Sequence, residues 1–260
     1  MATVDVQGET VGFAVEGHGA PVLLLHGTTM NRSAWDMVRA AMPTGYEYVM
    51  VDFPGSGESS MPAAPLTIEG LVDQAVAVMD HVGHERFHVA GYSLGAVVAL
   101  AAAGQVGSRV VSATSLCGWA TTDARMRFTF GLWRRLIERD PELFMRYAVA
   151  DGFTAGAIDA LEPMLEAVVA QGAGSIAPGS DAHLDLDERV DIAPLVERIT
   201  SPTLLIAGAE DRWVDPAHSR VLAERLPDAR LEIVPYGHLV IQEGAGMVAE
   251  LLHAHVSAAR

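Results

Sequence analysis

The chain has 260 residues, of which 33 are acidic and 17 basic, so its formal net charge at pH 7 is -16. A charge this negative disfavours binding to nucleic-acid phosphates and to anionic membrane surfaces, and we expect neither partner. Half of the residues are hydrophobic, which is typical of a globular protein with a large buried core rather than of a disordered chain.

Cysteine usage and the N-terminal sequence indicate the compartment. The single cysteine, Cys117, cannot form a disulfide within the chain. The first 17 residues lack the basic start and apolar run of a signal peptide, and no stretch reaches 18 apolar residues. We therefore expect a cytoplasmic protein.

Short apolar runs alternate with segments of helical periodicity along the first 118 residues. This alternation is typical of a mostly parallel sheet with helices on both faces. Residues 4–17 predict a hairpin of two strands. The following segments predict strands at 21–27, 48–55, 87–91 and 110–118, and helices at 33–42, 67–83 and 94–104.

The pattern changes between residues 119 and 185, where strand signals end and helical segments carry many aromatic and methionine side chains. We predict a helical cap inserted here, with the small residues of 171–180 forming a loop. The core is then predicted to resume. Its segments are strands at 201–208 and 231–237 and helices at 215–226 and 243–257, so the predicted division is core 1–118, cap 119–185 and core 186–260.

The sequence GYSLG, residues 91–95, joins a predicted strand to a predicted helix. In such a strand–turn–helix, only glycine fits beside the turn, and the serine hydroxyl is forced outward. We interpret Ser93 as a nucleophile; the alternative is an ordinary Gly-Ser turn. A serine hydroxyl needs a base to activate it, and the base needs an acid to orient it.

Asp211 and His238 are the candidates for acid and base, because each follows one of the last two predicted strands. Asp215 competes for the first role, but it directly precedes a proline at a predicted helix start and is better explained as an N-cap. We expect Glu210 to point away. Among the remaining histidines, we expect His183 to be solvated.

The sequence LLLHGTT, residues 23–29, ends another predicted strand. The backbone amides of Thr28 and Leu94 are predicted to form an oxyanion hole. Because these donors belong to the main chain, we expect side-chain identity there to matter little. His26 is interpreted mainly as a brace for this loop. Candidates for the substrate pocket are His26, Thr29, Trp119, Phe128, Trp133 and Leu239.

With GYSLG, LLLHGTT, DFPGSGES, AGAEDRWVD and YGHLV in this order, the sequence resembles the α/β-hydrolase fold superfamily, in its branch of serine esterases and lactonases with a helical cap. The resemblance implies a mostly parallel central sheet with helices on both faces and an inserted helical cap. It also implies that Ser93, His238 and Asp211 act as nucleophile, base and acid. The expected reaction is hydrolysis of a carboxylic ester or lactone of a small, largely apolar substrate through an acyl-enzyme.

Other reactions stay open at this point. The same three residues serve carbon–carbon bond hydrolysis, acyl transfer and cyclisation, and a non-catalytic binding homologue would keep the same fold. Ala96 stands where many related esterases have a glycine, and the cap matches no subfamily pattern, so the resemblance does not identify the substrate. The sequence does not reveal the oligomeric state either. The chain has no HExxH, no paired Cys and His spacing and no GxGxxG, so we expect no metal and no cofactor.

Overall fold

The computed structural model describes residues 2–259. Within them, eight strands form one sheet in the order β1-β2-β4-β3-β5-β6-β7-β8. The strands are β1 (Ala2–Val6), β2 (Glu9–Gly17), β3 (Ala20–Leu25), β4 (Tyr46–Val51), β5 (Phe87–Tyr92), β6 (Val110–Leu116), β7 (Thr203–Gly208) and β8 (Ala229–Val234).

Twelve α-helices and three short 3₁₀ helices lie in the same residues, 2–259. The α-helices are α1 (Asp36–Ala41), α2 (Ile68–Val82), α3 (Leu94–Gln105), α4 (Ala124–Arg139), α5 (Pro141–Gly152), α6 (Ala155–Leu161), α7 (Leu165–Ala173), α8 (Ser180–Asp187), α9 (Ala193–Val196), α10 (Pro216–Arg225), α11 (Val240–Glu243) and α12 (Ala245–Ala258). The 3₁₀ helices are Arg32–Trp35, Gly107–Arg109 and Glu162–Met164.

The sheet is parallel from β4 to β8 and antiparallel at its first two pairings, β1 with β2 and β2 with β4. The predicted hairpin and the mostly parallel sheet are therefore confirmed. Strands β5 and β7 are buried along their whole length, because helices cover both faces. This double burial explains why their sequences are nearly continuous apolar runs rather than alternating ones.

Helices pack on the two faces of the sheet and form two apolar clusters. One cluster includes α2 and α3, with Leu71 and Val98 among its members, and the other includes α1 and α12, with Val38 and Val248. Helix α2 begins where predicted, since the Thr67 side chain accepts a hydrogen bond from the amide of Gly70 at 3.0 Å.

Helices α4–α8, which we call the cap, lie between β6 and β7 in the chain. The two ends of this insertion pair with each other: the amide of Thr122 donates to the carbonyl of Val190 at 3.0 Å, and that of Ile192 to Ala120 at 2.8 Å. The domain boundaries at 118/119 and 185/186 stay a prediction.

The predicted loop at 171–180 is wrong at both ends. Helix α7 continues to Ala173 and α8 begins at Ser180, so only residues 174–179 lie outside helices. The small residues reflect close packing instead of a turn, because a Cβ on Gly172 would lie 2.4 Å from the Cε atom of Met145 in α5.

The turn between β5 and α3 brings three backbone segments into contact. Ser93 lies between the two elements with φ 55° and ψ -118°. A Cβ on Gly91 would lie 1.9 Å from the carbonyl oxygen of Gly95, and one on Gly95 would lie 2.2 Å from that of Leu25 in β3. Both glycines are required because backbone atoms occupy the space of a side chain.

We expect Gly95→Ala to lower the free energy of unfolding by about 3 kcal/mol, because the added methyl group meets a carbonyl oxygen that cannot move without displacing β3. Urea unfolding followed by circular dichroism measures the change. The matched control is Gly246→Ala in α12, where a Cβ meets nothing within 4 Å; it should change stability by less than about 1 kcal/mol. Equal effects in both variants would contradict the packing argument.

Candidate active site

The three residues predicted as nucleophile, acid and base lie at one edge of the sheet. Ser93 follows β5, Asp211 follows β7 and His238 follows β8. These strands are parallel, so their carboxyl ends meet at the same edge. The chain separates the residues by up to 145 positions, and the sheet topology brings them together.

Their polar atoms form a continuous chain of hydrogen bonds. Ser93 Oγ lies 3.1 Å from His238 Nε2, and His238 Nδ1 lies 2.7 Å from Asp211 Oδ2. With the Nδ1 proton donated to the carboxylate, Nε2 is free to accept the proton of the serine hydroxyl. All three residues are less than a tenth exposed, so the geometry is held in a poorly hydrated environment.

The Asp211 carboxylate is fixed by its own loop. Its Oδ1 atom accepts hydrogen bonds from the amides of Trp213 and Val214, both at 2.9 Å. These bonds leave Oδ2 directed at the imidazole. Asp215 instead caps α10, accepting from the amide of Ala217 at 2.8 Å, and Glu210 is exposed; both expectations are confirmed.

The loop that carries His238 is held by hydrogen bonds from the end of β5 and to the cap. The Tyr92 hydroxyl donates to the His238 carbonyl at 3.1 Å, and the Leu239 amide donates to the carbonyl of Gly152, at the end of α5, at 3.0 Å. The Trp213 ring lies 4.8 Å from the imidazole. Sequence reasoning missed Tyr92 and Trp213, although both lie within quoted motifs: Tyr92 precedes Ser93 in GYSLG, and Trp213 stands two residues after Asp211 in AGAEDRWVD.

Of the two predicted oxyanion donors, Leu94 directly follows the serine, and Thr28 follows Gly27, which approaches the serine closely. Leu94 is the first residue of α3, so its amide has no acceptor within the helix. Thr28 lies in the loop after β3, and within residues 2–259 its amide has no backbone acceptor. A Cβ on Gly27 would lie 3.2 Å from the Cβ of Ser93, which shows how closely this loop approaches the nucleophile.

His26 braces the same loop, as expected. Its Nε2 atom accepts from the amide of Phe53 at 3.0 Å, and Nδ1 lies 2.8 Å from the carbonyl of Gly27. Burial lowers the pKa of His26 to about 4. The ring is therefore neutral at pH 7 and serves the loop through hydrogen bonds rather than through charge.

Two predictions of exposure are wrong. Phe128 was expected in the pocket, but its side chain is 81% exposed, because α4 turns Met126, Phe130 and Trp133 toward the interior. His183 was expected in solvent, but it is fully buried, with Nε2 donating to the carbonyl of Pro54 at 2.8 Å.

The other pocket candidates lie in or against the core. Trp119, Trp133 and Leu239 are buried, and Thr29 is partly buried. Trp133 lies 4.5 Å from Trp213 between ring centres, which connects the cap to the ring that contacts His238.

Cys117 joins Asp211 and His238 to make a cluster of possible metal-ligand atoms within 4.8 Å of one another. These three side chains fit the hydrogen bonds already described better than they fit a bound cation. Nδ1 of His238 already bonds Asp211, and burial raises the pKa of the Cys117 thiol, which therefore keeps its proton.

Comparison with known proteins identifies the family. Residues 20–245 match the family model described as alpha/beta hydrolase fold. The chain is an α/β hydrolase. The hydrolase is 31% identical over 263 aligned residues to the pimeloyl-(acyl-carrier protein) methyl ester esterase of Xanthomonas campestris pv. campestris, covering 94% of this chain and 98% of the relative. It is 26% identical to the pyrrolizixenacetamide deacetylase of Xenorhabdus hominickii, covering 92% and 91%.

The fold also matches solved structures. The enol-lactonase of Burkholderia xenovorans LB400 superposes with a TM-score of 0.88 at 19% identity, over 98% of this hydrolase and 100% of that chain. The predicted fold and the resemblance are therefore confirmed, and the protein belongs to an enzyme family as expected. None of the helices described in residues 2–259 is long and apolar enough to cross a membrane.

We expect the stability of the hydrolase to fall on acidification, in part because of His26. The unfolded chain protonates this ring below about pH 6.5, whereas the folded protein resists protonation until about pH 4. The stability that the neutral ring contributes is complete above pH 6.5 and is lost as the pH falls toward 4. In His26→Gln, the slope of unfolding free energy between pH 6 and 5 should fall by up to about 1.4 kcal/mol per pH unit.

Urea unfolding of this variant at pH 7, 6 and 5 measures the slope. The control is His81→Gln, because His81 is exposed and its substitution should leave the slope as in the unmodified protein. Parallel pH dependences of the His26 variant and the unmodified protein would contradict the role of burial.

Proposed function

We propose that this protein is a serine hydrolase that cleaves a carboxylic ester or lactone of a small, largely apolar substrate through an acyl-enzyme. The observation that carries the proposal is the hydrogen-bonded chain from Ser93 through His238 to Asp211, with distances of 3.1 and 2.7 Å. This arrangement of hydroxyl, imidazole and carboxylate is the one that activates a serine for attack on a carbonyl group.

In the first step, Ser93 Oγ attacks the carbonyl carbon while His238 Nε2 takes the hydroxyl proton. The negative charge that develops on the carbonyl oxygen is stabilised by the amides of Thr28 and Leu94, and the N-terminus of α3 contributes its dipole. The imidazolium then gives its proton to the leaving alcohol. For a lactone, that alcohol stays attached to the acyl group.

In the second step, a water molecule attacks the acyl-enzyme. His238 removes one proton from the water and returns it to Ser93 Oγ, which releases the carboxylic acid and restores the enzyme. Asp211 stabilises the imidazolium in both steps. The two amides that bind it hold its orientation.

The apolar substrate is supported by the aromatic rings around the site. Trp213 contacts His238, Trp133 contacts Trp213 at 4.5 Å, and Phe130 and Phe144 each lie 5.5 Å from Trp133. Such rings offer apolar surface next to the reacting atoms. His26, Thr29, Trp119 and Leu239 complete the proposed surroundings of the pocket.

The names of the relatives support the same reaction type. The Xanthomonas relative is named as a methyl ester esterase and the Burkholderia structure as an enol-lactonase. Both reactions break a carbon–oxygen bond at an acyl carbon, which the proposed mechanism does. The Xenorhabdus relative is named as a deacetylase, which is also acyl transfer to water.

Ser93→Ala should lower kcat for p-nitrophenyl butyrate by about a thousandfold or more, because the acyl-enzyme cannot form. A fluorophosphonate should label the unmodified protein at Ser93, detected by mass spectrometry of the peptide. The control Ser56→Ala removes another buried hydroxyl, one without a hydrogen-bond partner, and should keep its rate. Retention of near-normal turnover by Ser93→Ala would refute the assignment.

Trp133→Ala should lower kcat/KM for a phenylacetate-type acyl ester about tenfold more than for an acetyl ester, since the larger acyl group loses its apolar contact. Phe128→Ala lies on the same helix but removes an exposed ring, so it should change neither value. If Trp133→Ala lowered kcat/KM equally for both esters, the ring would support the fold rather than contact the substrate.

A further inference from the structure

A buried carboxyl group from the cap contacts residues 26–29, the loop after β3, which we call the oxyanion loop because the Thr28 amide is proposed to bind the oxyanion. Asp187, the last residue of α8, is 1% exposed. Its Oδ2 atom accepts a hydrogen bond from the Thr28 hydroxyl at 2.5 Å, across 159 positions of the chain. Its Oδ1 atom has no hydrogen-bond partner among residues 2–259. A buried polar group of this kind is costly for the fold.

The segment before Asp187 is tied to the same region by its backbone. The amide of Ala177 donates to the carbonyl of Thr29 at 2.9 Å, and the amide of Gly179 donates to that of Gly55 at 2.8 Å. Thr29 has φ 67°, a conformation that is uncommon for a β-branched residue. The oxyanion loop therefore adopts a conformation that the end of the cap holds in place.

The Asp187 contact involves the one residue of that loop whose amide is proposed to bind the oxyanion. A hydrogen bond at the Thr28 side chain restrains the orientation of the same residue's backbone. The side-chain identity of Thr28, expected from the sequence to matter little, therefore bears on the geometry of the donor. Oxyanion donors act through accurate placement before the reaction.

We propose that Asp187 is a positioning residue for the reaction, which holds the Thr28 amide on the oxyanion through the Thr28 hydroxyl. This inference rests on the proposed function, because it assigns a role at the same site. Asp187 acts through Thr28 and does not itself contact the reacting atoms.

The charge state of Asp187 gives the contact a pH dependence. Burial raises the pKa of Asp187 to about 8, with Glu188 adding to the effect and the Thr28 hydrogen bond opposing it. At pH 7 the neutral acid is therefore the main form. Above pH 8 it ionises, and a negative charge one side chain away from the developing oxyanion opposes the reaction.

Other titratable and charged groups surround the contact. His183 lies on α8 and Glu188 directly follows that helix; from α4, a guanidinium nitrogen of Arg134 lies 3.6 Å from a carboxylate oxygen of Glu188. From the oxyanion loop, the His26 ring lies 6.3 Å from that of His183. Burial lowers the pKa of both histidines to about 4, so neither changes charge between pH 7 and 9. Their titration does not explain an alkaline loss of activity.

The test compares Asp187→Ala, Asp187→Asn, Thr28→Val and the double variant Asp187→Ala/Thr28→Val with the unmodified protein. Rates are measured on p-nitrophenyl butyrate from pH 6 to 9.5, with buffer hydrolysis subtracted. Fluorophosphonate titration gives the concentration of active Ser93, so that kcat refers to folded sites alone. Asp185→Asn is the control, because this carboxylate lies on the same helix but is 49% exposed and pairs with Arg189.

At pH 7, Asp187→Ala and Thr28→Val should each lower kcat by between about tenfold and a hundredfold, with KM within about twofold. The double variant should be no slower than the slower single variant, because both remove one hydrogen bond. Asp187→Asn, which keeps an oxygen acceptor for Thr28, should recover kcat to within about threefold. Its rate should stay level above pH 8, where that of the unmodified protein declines.

Three results would overturn the inference: unchanged kcat per labelled site in Asp187→Ala, losses that multiply in the double variant, or the same alkaline decline in Asp187→Asn. If Asp187→Ala does not fold, kcat per labelled site decides: it should fall in Thr28→Val and be recovered in Asp187→Asn, because only the second variant keeps the hydrogen bond between the two side chains. Failure of the proposed function looks different, since the unmodified protein would then not be labelled at Ser93 and Ser93→Ala would keep its activity.

Discussion

The close approach of three backbone segments at the start of α3 determines the position of the serine. Gly95 lies against the carbonyl of Leu25, and Gly91 against that of Gly95. The chain can leave β5 and enter α3 in this space only if Ser93 adopts a positive φ angle. Ser93 and the first residue of α3 then lie beside the loop after β3. One packing constraint thus places both the proposed nucleophile, Ser93, and the start of α3, whose first amide is a proposed oxyanion donor.

The cap helices contact two loops near Ser93: the loop after β3, which carries Thr28, and the loop after β8, which carries His238. At the end of α5, the Gly152 carbonyl accepts a hydrogen bond from the Leu239 amide. The neighbouring Asp151 carboxylate accepts one from the Trp213 indole N–H at 2.8 Å. At the end of α8, Asp187 accepts the Thr28 hydroxyl. The loops of the proposed base, His238, and of the proposed oxyanion donor, Thr28, are therefore each supported by a different part of the cap. A motion of the cap that broke these contacts would affect the geometry of both loops.

Sequence reasoning located what depends on local pattern and strand order. The hairpin, the buried strands and the positions of Ser93, Asp211 and His238 at strand ends followed from short motifs with their flanking elements. Sequence reasoning did not determine which face of α4 is buried, so Phe128 was assigned to the pocket together with Trp133. The roles of Asp187 and His183 depend on partners more than 120 positions away, and no local pattern reveals such contacts. Gly172 and Ala173 were taken as part of a loop at 171–180 because tight helix packing and turns use the same residue types.

The buried thiol of Cys117 has a practical consequence for labelling. It is the one cysteine in the chain, its side chain is 1% exposed, and burial keeps it protonated. Alkylating reagents react with thiolates, so we expect Cys117 in the folded protein to react very slowly with maleimides. A cysteine introduced at an exposed position of the cap, such as 128, would carry a dye or spin probe selectively, without removal of the native one.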